Sequence, residues 1–152
     1  MTGWQRFKLV FNFVNLMTLA GFAVATIGRA RISRGPRGLF FASGYRLAFP
    51  IAGAFTIGNV ILTRHAVGYL DSEQLVRHEE RHSWQYLCLL GLPFWPLYGV
   101  CAGWSWLRTG DFASRNLFER MAGLVDGGYI EHQPRSLLKA IRAGRRSHPP
   151  VL

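Results

Sequence analysis

The chain has 152 residues, enough for one domain with a modest hydrophobic core, and its two cysteines are too few for a disulfide scaffold. It is 49% hydrophobic and only 17% charged, with apolar residues in long runs, so we expect membrane contact. The net charge of +10 suits nucleic acid or anionic lipid. Because the basic residues flank apolar segments and form no recognised base-reading motif, lipid is the expected partner and nucleic acid is not.

The first predicted element covers residues 9–28, which contain no charged residue. A helix of about 20 apolar residues is long enough to cross a bilayer core of about 30 Å. We therefore predict an N-terminal transmembrane helix, with Asn12 and Asn15 facing protein or a partner rather than lipid. A cleaved signal peptide is the alternative, because the small residues at positions 23–25 resemble a cleavage site.

Four arginines follow this segment within nine residues, at positions 29, 31, 34 and 37. Basic residues directly after a membrane span favour the cytoplasmic side for the segment that follows, although Arg6 and Lys8 precede the span and oppose this. The arginine run is expected to be either a solvated loop or a segment attracted to anionic lipid headgroups.

Residues 39–63 are rich in Gly, β-branched and aromatic residues and show no helical periodicity. They predict short strands separated by Gly44, Pro50 and Gly53 rather than a helix. Phe55–Thr63 is expected to form the last strand before the next helix. That strand either packs its Ile and Val in the core or presents an edge that can bind an extended peptide.

A helix predicted over residues 72–91 carries the sequence HEERH, which begins at His78 and ends at His82. Histidines four residues apart lie on one helix face, so both can bind a single zinc ion at about 2.0–2.1 Å. Glu79 follows the first histidine, where a carboxylate can take a proton from an activated water molecule. The alternative is a solvated helix face stabilised by surface ion pairs (Glu73–Arg77 and Arg77–Glu80).

A zinc ion held by two histidines needs a third protein ligand if one position is left for water. Downstream, Glu119 lies in the sequence NLFERMA on a helix predicted over residues 114–126. HExxH followed by NxxExxA resembles the gluzincin metallopeptidases, and the matching residues are His78, Glu79, His82, Asn116, Glu119 and Ala122. The resemblance covers about residues 55–126 and implies that His78, His82 and Glu119 bind zinc. It also implies that Glu79 activates water for attack on a peptide carbonyl.

The resemblance also constrains the second long uncharged stretch, residues 82–107. If this stretch crossed the membrane, Glu119 would lie on the opposite side from the two histidines. We therefore expect a re-entrant apolar hairpin, reversed by Pro93 and Pro96, with residues 92–107 as the returning arm. The hairpin sets Cys88 and Cys101 at equal distances from the prolines; they are expected to be buried thiols, with a disulfide as the alternative.

The remaining predictions concern the C-terminal part. Residues 134–146 are predicted to form a basic amphipathic helix on an anionic membrane surface, or else a disordered tail. An oxyanion donor is expected from Tyr129 or His132, and the sequence does not choose between them. His65 and His148 are expected to be ordinary surface histidines.

Together these features predict a single α+β domain over residues 1–152, mostly helical, that is a membrane-anchored minimal zincin-like fold. The predicted function is a membrane-associated zinc metallopeptidase acting on a peptide substrate. It is expected in the bacterial inner membrane, with the HExxH site on the cytoplasmic side. The alternative is a catalytically silent accessory subunit of a larger membrane complex, such as a lipid transporter, because fold alone does not determine function.

Overall fold

The computed structural model describes residues 1–48, 50 and 52–135. Within these residues the protein is an α+β fold with more helix than strand, as the sequence predicts. The chain forms two compact units, Met1–Pro96 and Leu97–Leu152. Each is described separately.

The first unit contains three helices, a four-stranded sheet and the start of a fourth helix. The helices are α1 (Gly3–Val14), α2 (Met17–Ile27) and α3 (Glu73–Cys88), and α4 (Phe94–Thr109) begins at the end of this unit. The strands are β1 (Arg31–Arg34), β2 (Phe40–Ser43), β3 (Ala54–Ile57) and β4 (Val60–Thr63). Short 3₁₀ turns lie at Pro36–Gly38 and Val67–Asp71.

The sheet has the order β1-β2-β4-β3, in which β2 and β4 are parallel and the outer pairs are antiparallel. Ala25 of α2 packs with Val60 and Leu62 in one hydrophobic cluster. Val76 of α3 packs with Leu39 and Ile61 in a second cluster. Since Val60 and Ile61 are adjacent on β4, they point to opposite faces, and the sheet is therefore covered by α2 on one face and α3 on the other.

The prediction of one continuous helix over residues 9–28 is wrong, because the chain bends by 70° between α1 and α2. Leu16 adopts a left-handed conformation with φ 67°, and the Asn15 side chain accepts a hydrogen bond from the Met17 N–H. Among the described residues no single helix is long and apolar enough to cross a membrane. The bent pair α1 and α2 together meets that criterion of length and composition.

The predicted strand region is confirmed, but Phe55–Thr63 is a hairpin rather than one strand. Strands β3 and β4 pair antiparallel with Ile57 opposite Val60, so only Gly58 and Asn59 connect them. Gly58 has φ 60°, and a two-residue hairpin turn favours glycine at such a position. Strand β1 was also not predicted: the arginine run is an exposed edge strand, where charge discourages pairing with other chains.

Helix α3 begins at the predicted place, where the Ser72 hydroxyl accepts the Leu75 N–H and caps the helix. It ends at Cys88, and helical structure is interrupted at Leu90 and Gly91, which both have positive φ. The predicted turn over Pro93–Pro96 is therefore wrong, because residues 94–96 are already helical. Pro93 precedes α4 and Pro96 lies in its first turn, where a proline costs no helical hydrogen bond.

In the second unit, α4 continues to Thr109 and a short helix α5 (Leu117–Ala122) follows. This helix lies inside the predicted range 114–126 and is shorter than predicted. The loop between the helices is held by Asp111, whose carboxylate accepts the Ala113 and Ser114 N–H groups. Burial raises the pKa of Asp111, but a hydrogen bond from the Ser114 hydroxyl together with these two N–H bonds outweighs it and lowers the pKa. Most of the predicted basic tail, residues 136–146, lies outside the described residues, as does His148.

Candidate metal centre

The two motif histidines lie together on the buried face of α3, with His78 only 1% exposed and His82 7% exposed. Their Nε2 atoms are 3.1 Å apart. Two nitrogens bound to one tetrahedral zinc ion at about 2.05 Å would be about 3.3 Å apart. The separation that the helix imposes on these two nitrogens therefore matches the separation that a shared metal ion requires.

Gln85, one turn beyond His82, determines the tautomer and ring orientation of that histidine. The Nδ1 atom of His82 is 2.8 Å from the Gln85 Oε1 atom. A carbonyl oxygen only accepts hydrogen bonds, so Nδ1 carries the proton and Nε2 keeps its lone pair. Partners of this kind fix the ring orientation and tautomer of metal-binding histidines. This contact leaves Nε2 as the ring nitrogen of His82 that could bind a metal ion.

Glu79 is also buried, and it faces strand β3. The Thr56 hydroxyl donates to the Glu79 Oε2 atom at 2.7 Å, and also lies 3.3 Å from the Glu79 carbonyl oxygen. Because Thr56 lies on a strand, this contact links the sheet to the motif helix. The Glu79 carboxylate is thereby held in a defined orientation against β3.

The remaining polar groups of α3 contact α1 and the segment after β1. Glu80 accepts a hydrogen bond from the fully buried Lys8 at 2.9 Å and also pairs with Arg37. The predicted Arg77–Glu80 surface pair is therefore wrong, whereas Glu73–Arg77 forms an exposed pair at 3.1 Å. A solvated motif face is excluded, because the histidines, Glu79 and Glu80 are all buried.

A second buried network fixes the same helix to the β3–β4 turn. The Asn12 amide donates to the Ser83 carbonyl oxygen at 2.9 Å and to the Asn59 Oδ1 atom at 3.2 Å. Asn59 in turn donates to the Thr18 hydroxyl at 2.8 Å. These bonds explain why a helix with a buried polar face is stable: the buried polar groups satisfy one another.

In the second unit, Glu119 is held by its own helix and by α4. The Asn116 side chain accepts the Phe118 N–H at 3.0 Å and caps α5, which makes Glu119 the third residue of the helix. Glu119 is 2% exposed, and the Tyr98 hydroxyl donates to its Oε1 atom. The asparagine of NxxExxA therefore positions the helix that carries the glutamate.

His78 and His82 in the first unit and Glu119 in the second unit are all buried, and each offers one possible ligand atom for a metal ion. Two imidazole nitrogens and one carboxylate oxygen are a donor set that suits zinc, as in catalytic sites with two His and one Glu. The residues therefore fit the metal that the sequence predicts.

The other candidate residues differ in exposure. His132 is exposed, and its backbone N–H bonds to the Ser114 hydroxyl at 2.9 Å; Tyr129 is half-buried. His65 is exposed, as predicted, and stacks on Tyr69. Both cysteines are free thiols, and Cys88 is exposed rather than buried, so neither the disulfide nor the prediction of two buried thiols holds.

Three residues around the site escaped the sequence analysis: Thr56, Gln85 and Tyr98. Gln85 could have been found from the sequence, since it lies one helical turn after His82 on the same face. Thr56 and Tyr98 could not, because their contacts with Glu79 and Glu119 join residues more than 20 positions apart in the sequence. No family model, curated protein or solved structure matches this chain.

Proposed function

We propose that the protein is a membrane-associated zinc metallopeptidase with a gluzincin-like, zincin-type site. The observation that carries the proposal is the pair of buried histidines, His78 and His82, whose Nε2 atoms are 3.1 Å apart on one helix, with Glu79 adjacent to the first histidine. That separation is close to the one that a shared zinc ion requires. Two buried histidines so placed on an HExxH helix are best explained by a metal site, for which buried Glu119 of the NxxExxA sequence is the proposed third ligand.

In this proposal each residue of the site has a separate role. His78 and His82 would hold zinc through Nε2, and Glu119 would hold it through its carboxylate, which the Tyr98 hydroxyl orients. When bound, zinc supplies Lewis acidity for a carbonyl and makes water a stronger nucleophile near neutral pH. Glu79 takes the proton from the attacking water and returns it to the leaving amine. The Thr56 hydroxyl holds Glu79 in the orientation that this transfer needs.

A peptide is the proposed substrate because of the strand next to the motif helix. Strand β3 is at the end of the sheet order and pairs with β4 along one edge only. An unpaired edge can bind an extended peptide through main-chain hydrogen bonds. Thr56, which holds Glu79, is part of this strand, so a peptide bound along β3 would lie close to the proposed base.

Membrane association is supported by the inverted polarity of α1. Lys8 and Asn12 are fully buried, whereas Trp4 and Val14 are 73% and 72% exposed and Phe7 is 50% exposed. A soluble protein places its apolar side chains inward, so this reversed face suits the hydrocarbon of a bilayer. The exposed arginines after α2 favour the cytoplasmic side of a bacterial inner membrane for the site.

Metal analysis and a peptidase assay test the proposal. The purified full chain in a non-ionic detergent is expected to contain one zinc per chain, and His78→Ala is expected to lose it. Glu79→Gln keeps the metal ligands, so it should retain zinc while peptide cleavage is abolished. Absence of zinc in the wild-type protein after zinc supplementation would refute the metal site.

The alternative function is an accessory subunit of a larger membrane complex that uses the same fold as a scaffold. One observation favours it: exposed apolar side chains also occur along α4, including Val100, Trp104 and Trp106. Such a surface can bind another membrane protein as well as lipid. A stoichiometric membrane partner that co-purifies equally with wild type and Glu79→Gln, without peptide cleavage by either complex, would support this alternative.

A further inference from the structure

An arginine-lined cleft lies at the end of β2, beside the segment that joins α2 to β1. Its volume is about 270 Å³, and it is lined by Arg29, Arg31, Ser43, Gly44, Arg46 and Ala66. Three of these six residues are arginines and none is acidic. The proposed metal centre uses none of them.

Long-range pairing brings these arginines together. Arg31 on β1 is directly opposite Ser43 on β2 in an antiparallel pair, so both side chains point to the same face. The Arg46 N–H donates to the Gly28 carbonyl oxygen at 2.9 Å, which places Arg46 beside Arg29. Backbone pairing in the first unit therefore places three arginine residues around one cleft.

The guanidinium groups of these arginines have no carboxylate partner among the described residues, in contrast to Arg37 and Arg77, which form ion pairs. Like charges so arranged repel one another unless an anion lies between them. Arginine is also the residue best suited to bind phosphate, because its planar donors match the phosphate oxygens.

Ser43 provides an independent observation. It is 3% exposed, and its hydroxyl has no hydrogen-bond partner although it lines the cleft. A buried hydroxyl without a partner is unfavourable, and nearly all such groups in folded proteins are paired. An oxygen of a bound anion would accept this hydrogen bond.

We propose that this cleft is a binding site for a phosphate group, held by Arg29, Arg31 and Arg46 with the Ser43 hydroxyl as a further donor. The phosphate belongs either to a small soluble molecule or to an anionic lipid headgroup, since both present the same oxygens. The lipid source is compatible with the nearby exposed Ile27 at the end of α2.

The first experiment titrates inorganic phosphate into the full chain by calorimetry, with sodium chloride added to keep the ionic strength constant. Arg31→Gln is expected to weaken phosphate binding about tenfold, because a hydrogen bond to a charged group is removed. Ser43→Ala is expected to weaken it about fivefold. Arg34→Gln is the matched control: it is an exposed arginine on the same strand that does not line the cleft, and it should leave binding unchanged.

The second experiment identifies the source of the phosphate. Binding to phosphatidylcholine vesicles with and without phosphatidic acid is compared by flotation for wild type, Arg31→Gln and Arg34→Gln. Binding of inorganic phosphate that Arg31→Gln weakens supports a soluble ligand. If phosphatidic acid increases vesicle binding of wild type and Arg34→Gln but not of Arg31→Gln, the phosphate belongs to a lipid headgroup.

If wild type responds to neither probe, or if Arg34→Gln loses as much binding as Arg31→Gln, the site is refuted. Zinc content is measured in the same samples. It should be equal in all variants, so failure of this site is distinguishable from failure of the proposed metal centre.

Discussion

The hydrogen bond between Gln85 and His82 makes a specific prediction about metal affinity. With Gln85 present, the proton of His82 is on Nδ1 and the Nε2 lone pair is ready for the metal. In Gln85→Leu the proton can move to Nε2, and metal binding must then displace it. Outer partners of metal-binding histidines are worth about 10–100-fold in affinity. We expect the lower end, about tenfold or ~1.4 kcal/mol, because His78 and Glu119 remain.

The measurement is the zinc dissociation constant, determined by competition with a chromogenic chelator. Gln74→Leu is the matched control, since Gln74 is an exposed glutamine on the same helix. Gln85→Glu is a second variant: a carboxylate also accepts the Nδ1 proton, so zinc affinity should equal or exceed that of wild type. Circular dichroism verifies that each variant is folded.

Two results would refute this reasoning. If Gln85→Leu binds zinc as tightly as Gln74→Leu, the hydrogen bond does not prepare His82. If Gln85→Glu weakens binding as much as Gln85→Leu, the loss arises from a change in packing and not from the tautomer of His82.

Three further predictions follow from the contacts around the site. Thr56→Val should lower kcat for peptide cleavage about tenfold and leave zinc affinity unchanged, because Thr56 orients Glu79 and binds no metal. Lys8→Met should lower the free energy of unfolding by about 3 kcal/mol in a denaturant titration, because Glu80 stays buried without its main partner. Folding lowers the pKa of Asp111, so its ionised carboxylate stabilises the folded state above about pH 4. This stabilisation is lost as the pH falls through the pKa of the folded state. The stability difference between wild type and Asp111→Asn should therefore shrink in acid unfolding curves.

Each of these predictions has a contradicting outcome. Loss of zinc from Thr56→Val would mean that the hydroxyl supports the metal ligands rather than the base. A Lys8→Met variant as stable as wild type would mean that Arg37 alone satisfies Glu80. A stability difference for Asp111→Asn that stays constant down to pH 2 would mean that the Asp111 charge contributes nothing to folding.

The sequence by itself was sufficient wherever the determining interactions are local. The motif helix and the shared face of His78 and His82 depend only on residues within one helical turn of one another. The strand region before the helix follows from its β-branched composition. The choice of Glu119 rested on the resemblance of HExxH and NxxExxA to a family motif, and within that motif Asn116 caps the helix that carries Glu119.

Tertiary structure decided the features that depend on residues far apart in the chain. The bend at Leu16 accompanies the burial of Asn12 against Asn59 and Ser83, and a hydropathy pattern cannot contain that network. Thr56 gains its role only because β3 packs against α3.

The structure of the arginine run after α2 also depends on contacts with residues distant in the sequence. Its sequence predicts a solvated or headgroup-attracted loop, whereas pairing of β1 with β2 turns part of it into the wall of a cleft. Local sequence specifies which elements form and which face each residue takes. Only the packing of those elements brings together the buried polar groups that determine the chemistry.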